Sequence, residues 1–197
     1  MMTLLLCSVG CSMALPRVKP PAIDAAAAAH GALAAFDANH DGAISKAEAQ
    51  AACSGIADNW DRYDQDGDGS VTQAELESRF QKWTSGDTGL MNLRAEVTFR
   101  GKPLPDATVQ LTPYEFLGPN VLPAEGVTDR YGYAFLAIPK DRLPASQQAT
   151  HGMQVGLYRA NITHPEQQLP AKFNAETTLA VDLSPDEANT GVRFALK

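Results

Sequence analysis

The pattern of apolar positions changes near residue 85. Before it, apolar side chains recur at helical spacing, for example at Ile56, Trp60 and Tyr63. After Leu90 apolar and polar residues alternate in short runs that Pro and Gly separate, which is typical of a β-sandwich. The predicted strands cover residues 93–99, 107–112, 133–138, 154–162, 177–183 and 191–196. This pattern predicts an α+β chain of two domains, a helical one at 22–84 and an all-β antiparallel sandwich at 91–197, joined by a linker at 85–90.

Two twelve-residue windows in the helical region, 37–48 and 64–75, place oxygen-bearing residues at positions 1, 3, 5, 9 and 12 and glycine at position 6. Calcium is a hard cation that prefers carboxylate and carbonyl oxygens, and position 6 requires a positive φ. The predicted ligands of the first site are Asp37, Asn39, Asp41, the carbonyl of Ala43, Ser45 and Glu48. Those of the second site are Asp64, Asp66, Asp68, the carbonyl of Ser70, Thr72 and Glu75.

Residues around these windows support the same interpretation. Ile44 and Val71 occupy position 8, where we expect a short antiparallel bridge between the two loops. Ser45 and Thr72 are each followed three residues later by Glu, which predicts a capping box at the start of each exit helix. We interpret the apolar stripes of the flanking helices, which include Trp60, as core packing.

Residues 23–83 resemble the EF-hand proteins, and the resemblance implies two bound Ca²⁺ ions. The loops begin 27 residues apart, at Asp37 and Asp64, so the middle helices must be brief. A dockerin is the alternative, but dockerin loops usually end in Asp and lack a proper entering helix. The second window carries four acidic residues and the first only three, so we expect the second site to respond more strongly to calcium.

The second half contains GKPLPDATVQLTP, GVTDRYGYAFLAI, GLYRANIT and LPAKFNAETTLAVDL, which begin at residues 101, 126, 156 and 169. These segments resemble the carboxypeptidase regulatory-like, transthyretin-like β-sandwich family. The resemblance implies a hairpin turn at 101–105, a second turn at 128–132 and a non-catalytic structural or adhesive role.

The N-terminus, MMTLLLCSVGC, resembles the end of a bacterial lipoprotein signal peptide, followed by a tether up to residue 21. In this interpretation the cut follows Gly10, Cys11 is acylated, and the protein is anchored to the cell envelope, facing the periplasm or the exterior. A secreted protein and a cytosolic one are the alternatives. Of the three cysteines only Cys53 lies in the predicted folded region, so no disulfide framework is expected.

Charge and motif content narrow the function. A net charge of −7 argues against a nucleic-acid partner, which would require a basic surface. The chain shows no zinc-ligand spacing, nucleophile elbow or phosphate loop, so we predict no enzymatic activity and no catalytic residues. The leading hypothesis is a calcium-binding envelope protein with a structural or interaction role and an unidentified partner. The alternative is a calcium sensor that recruits a protein, although the few methionines disfavour an exposed groove.

Overall fold

The computed structural model describes residues 18–186 and 191–197. Residues 18–84 form helices and two very short strands. The helices are α1 (Ala25–Phe36), α2 (Lys46–Ala52), α3 (Ser54–Ala57), α4 (Trp60–Tyr63) and α5 (Gln73–Thr84). The strands are β1 (Ala43–Ser45) and β2 (Ser70–Thr72), which pair in antiparallel orientation. Among the described residues no helix is both long enough and apolar enough to cross a bilayer.

Local sequence accounts for where these helices begin. Asp24 caps α1 by accepting a hydrogen bond from the Ala27 N–H at 3.1 Å. Both predicted capping boxes are present: Ser45 precedes α2 and Thr72 precedes α5. The prediction of brief middle helices is confirmed, since α3 and α4 have only four residues each.

The second half forms two four-stranded sheets. Its strands are β3 (Leu93–Phe99), β4 (Lys102–Pro103), β5 (Thr108–Pro113), β6 (Ala124–Val127), β7 (Tyr133–Leu136), β8 (Gly156–Thr163), β9 (Ala180–Leu183) and β10 (Gly191–Leu196). One sheet has the order β10-β3-β4, with β7 also paired to β3, and the other has the order β6-β5-β8-β9. The α+β fold class is therefore confirmed.

The structure differs from the predicted sandwich in three respects. Strands β4 and β6 were not predicted, and β10 pairs with β3 in parallel rather than antiparallel orientation. The first hairpin turn lies at Arg100–Gly101 instead of 101–105, because Lys102 already pairs with Phe99. Arg100 and Gly101 have φ values of 50° and 77°, as a two-residue type I′ turn requires.

The helical region and the sheets share one continuous hydrophobic core. Phe36 at the end of α1 makes edge-to-face contacts with the rings of Tyr114 and Phe116, at centroid distances of 5.2 and 5.9 Å. Phe80 of α5 stacks on Phe116 at 6.2 Å. The boundary at 85–90 thus separates two kinds of secondary structure that pack on each other, and the division into two domains stays a prediction.

Candidate metal centre

The two acidic loops lie back to back across the β1–β2 pair. Ile44 faces Val71 in this pair, and both side chains are fully buried, which confirms the predicted bridge. Ala43 and Ser70, whose carbonyls are the predicted ligands at position 7, lie at equivalent positions of the two strands. One antiparallel strand pair therefore joins the two loops.

The first loop is held by side-chain oxygens that accept hydrogen bonds from loop N–H groups. Asp37 accepts from the N–H groups of Asp41 at 3.2 Å and Gly42 at 2.9 Å. Asn39 accepts from Asp41 at 2.9 Å, and Asp41 accepts from Ala43 at 3.1 Å. These local bonds keep the predicted ligands of the first site turned toward the inside of the loop.

The second loop repeats this arrangement with more negative charge. Asp66 accepts from the Asp68 N–H at 3.1 Å, and Asp68 accepts from the Ser70 N–H at 2.8 Å. Carboxylate oxygens of Asp64, Asp66 and Asp68 lie within 4.8 Å of one another. Three carboxylates repel one another at this distance unless a cation lies among them, so this is the stronger candidate site.

One oxygen in the second loop is unsatisfied. Asp64 Oδ2 accepts hydrogen bonds from the Trp60 indole Nε1 at 3.0 Å and from the Gly69 N–H at 3.1 Å. Its other oxygen, Oδ1, is buried and has no hydrogen-bond partner. A buried carboxylate oxygen without a partner carries a large desolvation cost, and coordination of a cation would remove it. The donor set of the second loop therefore fits a hard cation.

The glutamate at position 12 closes each loop. Glu48 Oε1 accepts from the N–H groups of Ala38 and Asn39, and Oε2 accepts from the N–H and hydroxyl of Ser45 at 2.8 Å each. Hydrogen bonds from the Ser45 backbone and hydroxyl, followed by the Asn39 backbone, lower the pKa of Glu48 to about 2. This carboxylate is therefore ionised and already positioned over its loop.

Glu75 is held in the same way in the second loop. It accepts from the N–H of Gln65 and from the N–H and hydroxyl of Thr72, each at 2.8 Å. Burial acts to raise the pKa of Glu75, but the hydrogen bonds from Thr72 and Gln65 outweigh it and the net pKa is lowered. Both loops thus present an ionised carboxylate at position 12.

Position 4 distinguishes the two loop backbones. Gly42 and Gly69 at position 6 both have φ of 94°, as the turn requires. Position 4 also takes a positive φ, which is 75° at Gly67 in the second loop and 60° at His40 in the first. Histidine is among the non-glycine residues more often found there, so the first loop keeps the same path at some cost in strain.

Side-chain chemistry also makes the first loop the weaker candidate. Asn39 stands where the second loop has Asp66, and its Nδ2 donates to Asp41 Oδ2 at 2.8 Å. This hydrogen bond satisfies an oxygen that would otherwise be available to an ion. The first loop therefore has less uncompensated negative charge for a cation to neutralise than the second.

Sequence reasoning missed a buried ion pair that connects the second loop to the sheets. Arg79 of α5 is 1% exposed and donates to Asp182 of β9 at 2.8 Å and to Asp186 at 2.6 Å. Arg79 lies on the same face of α5 as Leu76 and Phe80, and a cation on an apolar helix face requires a buried anion. The arginine on this apolar helix face was therefore the sequence signal that a buried anion lies opposite it.

A second connection involves the middle helices. The N–H of Ser54, the first residue of α3, donates to the Thr178 carbonyl at 3.0 Å. The Ser54 hydroxyl donates to the Ala180 carbonyl and accepts from the Ala180 N–H at 2.8 Å. These bonds satisfy backbone groups on the outer edge of β9, so α3 covers that edge of the sheet.

Cys11, the predicted acylation site, lies outside the described residues.

The structure brings the predicted oxygen-bearing residues together within their loops, while their assignment as calcium ligands stays a prediction. No curated protein and no solved structure matches this chain closely enough to count as a relative. The family model of the EF hand matches residues 30–51 and 61–80, which contain both loops. Both loops therefore lie in segments that are similar to EF hands, and calcium is the ligand that EF hands bind.

Proposed function

We propose that this protein binds two Ca²⁺ ions, one in each loop, and that the ions stabilise the joint between the helical region and the sandwich. The observation that carries this proposal is the buried, unpartnered Oδ1 of Asp64 beside the carboxylates of Asp66 and Asp68. Calcium fits better than Mg²⁺, because Mg²⁺ requires a stricter octahedral geometry than a twelve-residue loop closed by a bidentate glutamate provides.

A structural role is favoured over a calmodulin-like sensor because the apolar faces of the helices are already covered. Phe36 and Phe80 pack on Phe116 of the sandwich, and Arg79 is ion-paired to β9. A sensor exposes such a face only after calcium binds. Here opening would have to break a buried ion pair and separate a shared core, which supports calcium as a stabiliser of the closed arrangement.

Calorimetric titration of the full chain with CaCl₂ tests the binding proposal. We expect two ions per chain, with the stronger site lost in Glu75→Gln and the weaker one in Glu48→Gln. Each substitution removes one negative charge and keeps the side-chain size, so the two variants control for each other. No heat at millimolar Ca²⁺, or equal binding of Mg²⁺, would refute a calcium site. The full chain is used because the helical region shares its core with the sheets.

Binding of a hydrophobic dye separates the structural role from the sensor role. We expect dye fluorescence to stay constant or fall when Ca²⁺ is added, since the ions tighten an already closed joint. A calcium-dependent rise would favour the alternative, a sensor that exposes an apolar groove for a protein partner. An increase in melting temperature with Ca²⁺ concentration is expected in the structural case, because a ligand that binds only the folded state stabilises it.

We further propose that the protein is exported and lipid-anchored through Cys11, on the resemblance of residues 1–11 to a lipoprotein signal. Two acyl chains on one cysteine would supply the two-part anchoring that stable membrane attachment requires. Mass spectrometry of the protein from a membrane fraction tests this directly. We expect a mature chain that begins at a diacylated Cys11, and Cys11→Ser should abolish it. A mature chain that keeps Met1 or Met2 would refute the anchor.

A further inference from the structure

The large apolar side chains that the described residues leave exposed all lie on one hairpin, formed by β6, β7 and the turn between them. Val127, Tyr131 and Phe135 are 60%, 56% and 77% exposed. Single exposed apolar residues are ordinary on protein surfaces, but their concentration on one hairpin points to an interaction site.

The hairpin holds these side chains in a defined arrangement. A bridge pairs Glu125 with Ala137, and extending this antiparallel register by two residues brings Val127 opposite Phe135. Cross-strand partners lie on one face, so this register places the two exposed side chains on the same face of the hairpin, which we call the apolar patch.

The turn that carries Tyr131 is also fixed. Asp129 Oδ1 accepts from the N–H groups of Tyr131 at 2.8 Å and Tyr133 at 3.0 Å, and Gly132 takes a φ of 80°. A surface that is already ordered loses little conformational entropy when a partner binds.

Two arginines border the apolar patch. Arg94 is the cross-strand partner of Phe135, and its guanidinium lies 4.8 Å from the centre of the Tyr133 ring. The guanidinium of Arg130 lies 4.7 Å from the centre of the Tyr131 ring. A guanidinium that lies over an aromatic ring can still donate its N–H groups to a carboxylate.

Neither guanidinium has a carboxylate partner within residues 18–186 and 191–197. The nearby Glu96 is engaged by Arg193, whose Nη2 lies 2.9 Å from its Oε2. One oxygen of Asp129 is engaged by the turn, and Glu125 is the remaining acidic side chain of the hairpin. The surface thus combines Tyr, Phe and Arg side chains, and its arginines have N–H groups free to donate. Aromatic residues and arginine are enriched at the interface positions that contribute most of the binding energy.

The position of the hairpin in the fold suits an acidic partner. In the sheet of order β6-β5-β8-β9, α3 of the helical region covers β9, while the hairpin is at β6, the opposite edge. Residues 22–84 carry eleven acidic and four basic residues, so their net charge of −7 equals that of the whole chain. Three strand spacings, about 14 Å, separate β6 from β9, which is more than the Debye length of about 8 Å at physiological salt, so repulsion from the acidic residues near β9 is largely screened.

We propose that the β6–β7 hairpin is a docking surface for an acidic protein segment that also carries apolar side chains. The apolar groups of the segment cover Val127 and Phe135, and its carboxylates pair with Arg94 and Arg130. This site lies on the sandwich and does not depend on calcium binding by the loops.

Selection of a random peptide library, displayed on phage, against the full chain tests this proposal. We expect the enriched peptides to combine net negative charge with aliphatic or aromatic residues. A fluorescein-labelled enriched peptide should bind about tenfold more weakly to Phe135→Ser and to Arg130→Glu, as expected for loss of one interface anchor. Binding should also weaken as salt is raised.

Lys172→Glu is the matched control, since it makes the same charge change at an exposed residue in another part of the sandwich. Unchanged melting temperatures would establish that the hairpin variants fold. The proposal is overturned if enriched peptides are basic or uncharged, or if Lys172→Glu weakens binding as much as Arg130→Glu. It is also overturned if phosphatidylglycerol vesicles, and not peptides, bind the wild type and lose binding in Arg130→Glu, because the occupant would then be a lipid surface.

Discussion

Arg79 of α5 and Asp182 of β9 form an ion pair, 2.8 Å apart, whose side chains are 1% and 0% exposed. Burial acts to lower the pKa of Arg79, but Asp182 opposes it and the net pKa is raised, so the guanidinium stays charged. Burial raises the pKa of Asp182, and the guanidinium of Arg79 counteracts that rise. Glu75 lies one helical turn before Arg79, so one helix joins the second acidic loop to the sandwich.

Arg79→Met should destabilise the protein strongly, because it leaves the Asp182 carboxylate buried without its cation. Breaking a buried pair from one side costs about 3–5 kcal/mol, and the urea midpoint should fall accordingly. The double variant Arg79→Met/Asp182→Leu should recover much of that loss, since no charge then stays buried.

Arg193→Met provides the control, because its pair with Glu96 is largely exposed and should contribute less than about 1 kcal/mol. If Arg79→Met lowers the free energy of unfolding no more than Arg193→Met does, the buried pair does not stabilise the contact between the helical region and the sandwich.

The features that sequence predicted best are those determined by nearby residues. The two loops, the capping boxes at Ser45 and Thr72 and the Ile44–Val71 bridge each depend on short, regular spacing. Strand β6 was missed because its Ala-Glu-Gly-Val sequence combines few β-formers with a glycine.

Pairings between distant residues could not be predicted in the same way. The parallel pairing of β10 with β3 and the Arg79–Asp182 ion pair depend on tertiary packing. The Asp182 carboxylate lies within an otherwise apolar strand, so the sequence indicates that a partner exists without identifying it. The two acidic loops were therefore predictable, whereas their connection to the sandwich was not.

Trp60 should report calcium binding to the second loop. Its indole Nε1 donates to Asp64 Oδ2 at 3.0 Å, so an ion that coordinates Asp64 changes the electrostatic environment of the ring directly. Trp83 packs against Phe80 instead, with ring centroids 4.5 Å apart. We expect Trp83→Phe to keep the calcium-dependent change in fluorescence and Trp60→Phe to lose it. Loss of the response in Trp83→Phe alone would show that calcium acts on the helix packing instead.

Asn39→Asp should strengthen the first calcium site. The substitution raises the acid count of this loop from three to four, equal to that of the second, and more ligand charge raises affinity. It also replaces the Asn39–Asp41 hydrogen bond of 2.8 Å by repulsion between two carboxylates.

We therefore expect Asn39→Asp to lower the melting temperature in chelator and raise it in saturating Ca²⁺, relative to wild type. Calorimetry should show the weaker binding step tighten, while Asp66→Asn in the second loop should have the reverse effect. A shift of the same sign in chelator and in Ca²⁺ would contradict coordination by residue 39.

Gly31→Ala should destabilise the protein although glycine lies within a helix. At a solvent-exposed helical position this change usually stabilises by about 0.5–1 kcal/mol, because alanine has the higher helix propensity. Here a methyl group at residue 31 would lie 2.5 Å from Cβ of Phe116, so α1 would have to move away from the sandwich. Overpacking of this kind typically costs about 1–3 kcal/mol, which exceeds the propensity gain.

Gly86→Ala is a suitable control, because a methyl group there meets no atom within 4 Å. Urea unfolding should give a lower midpoint for Gly31→Ala and a nearly unchanged one for Gly86→Ala. Because α1 is the entering helix of the first loop, the displaced helix should also weaken the Glu48-dependent calcium step. If Gly31→Ala instead stabilised the protein, α1 and Phe116 would not be in close contact in solution, and the shared core would not extend to the first loop.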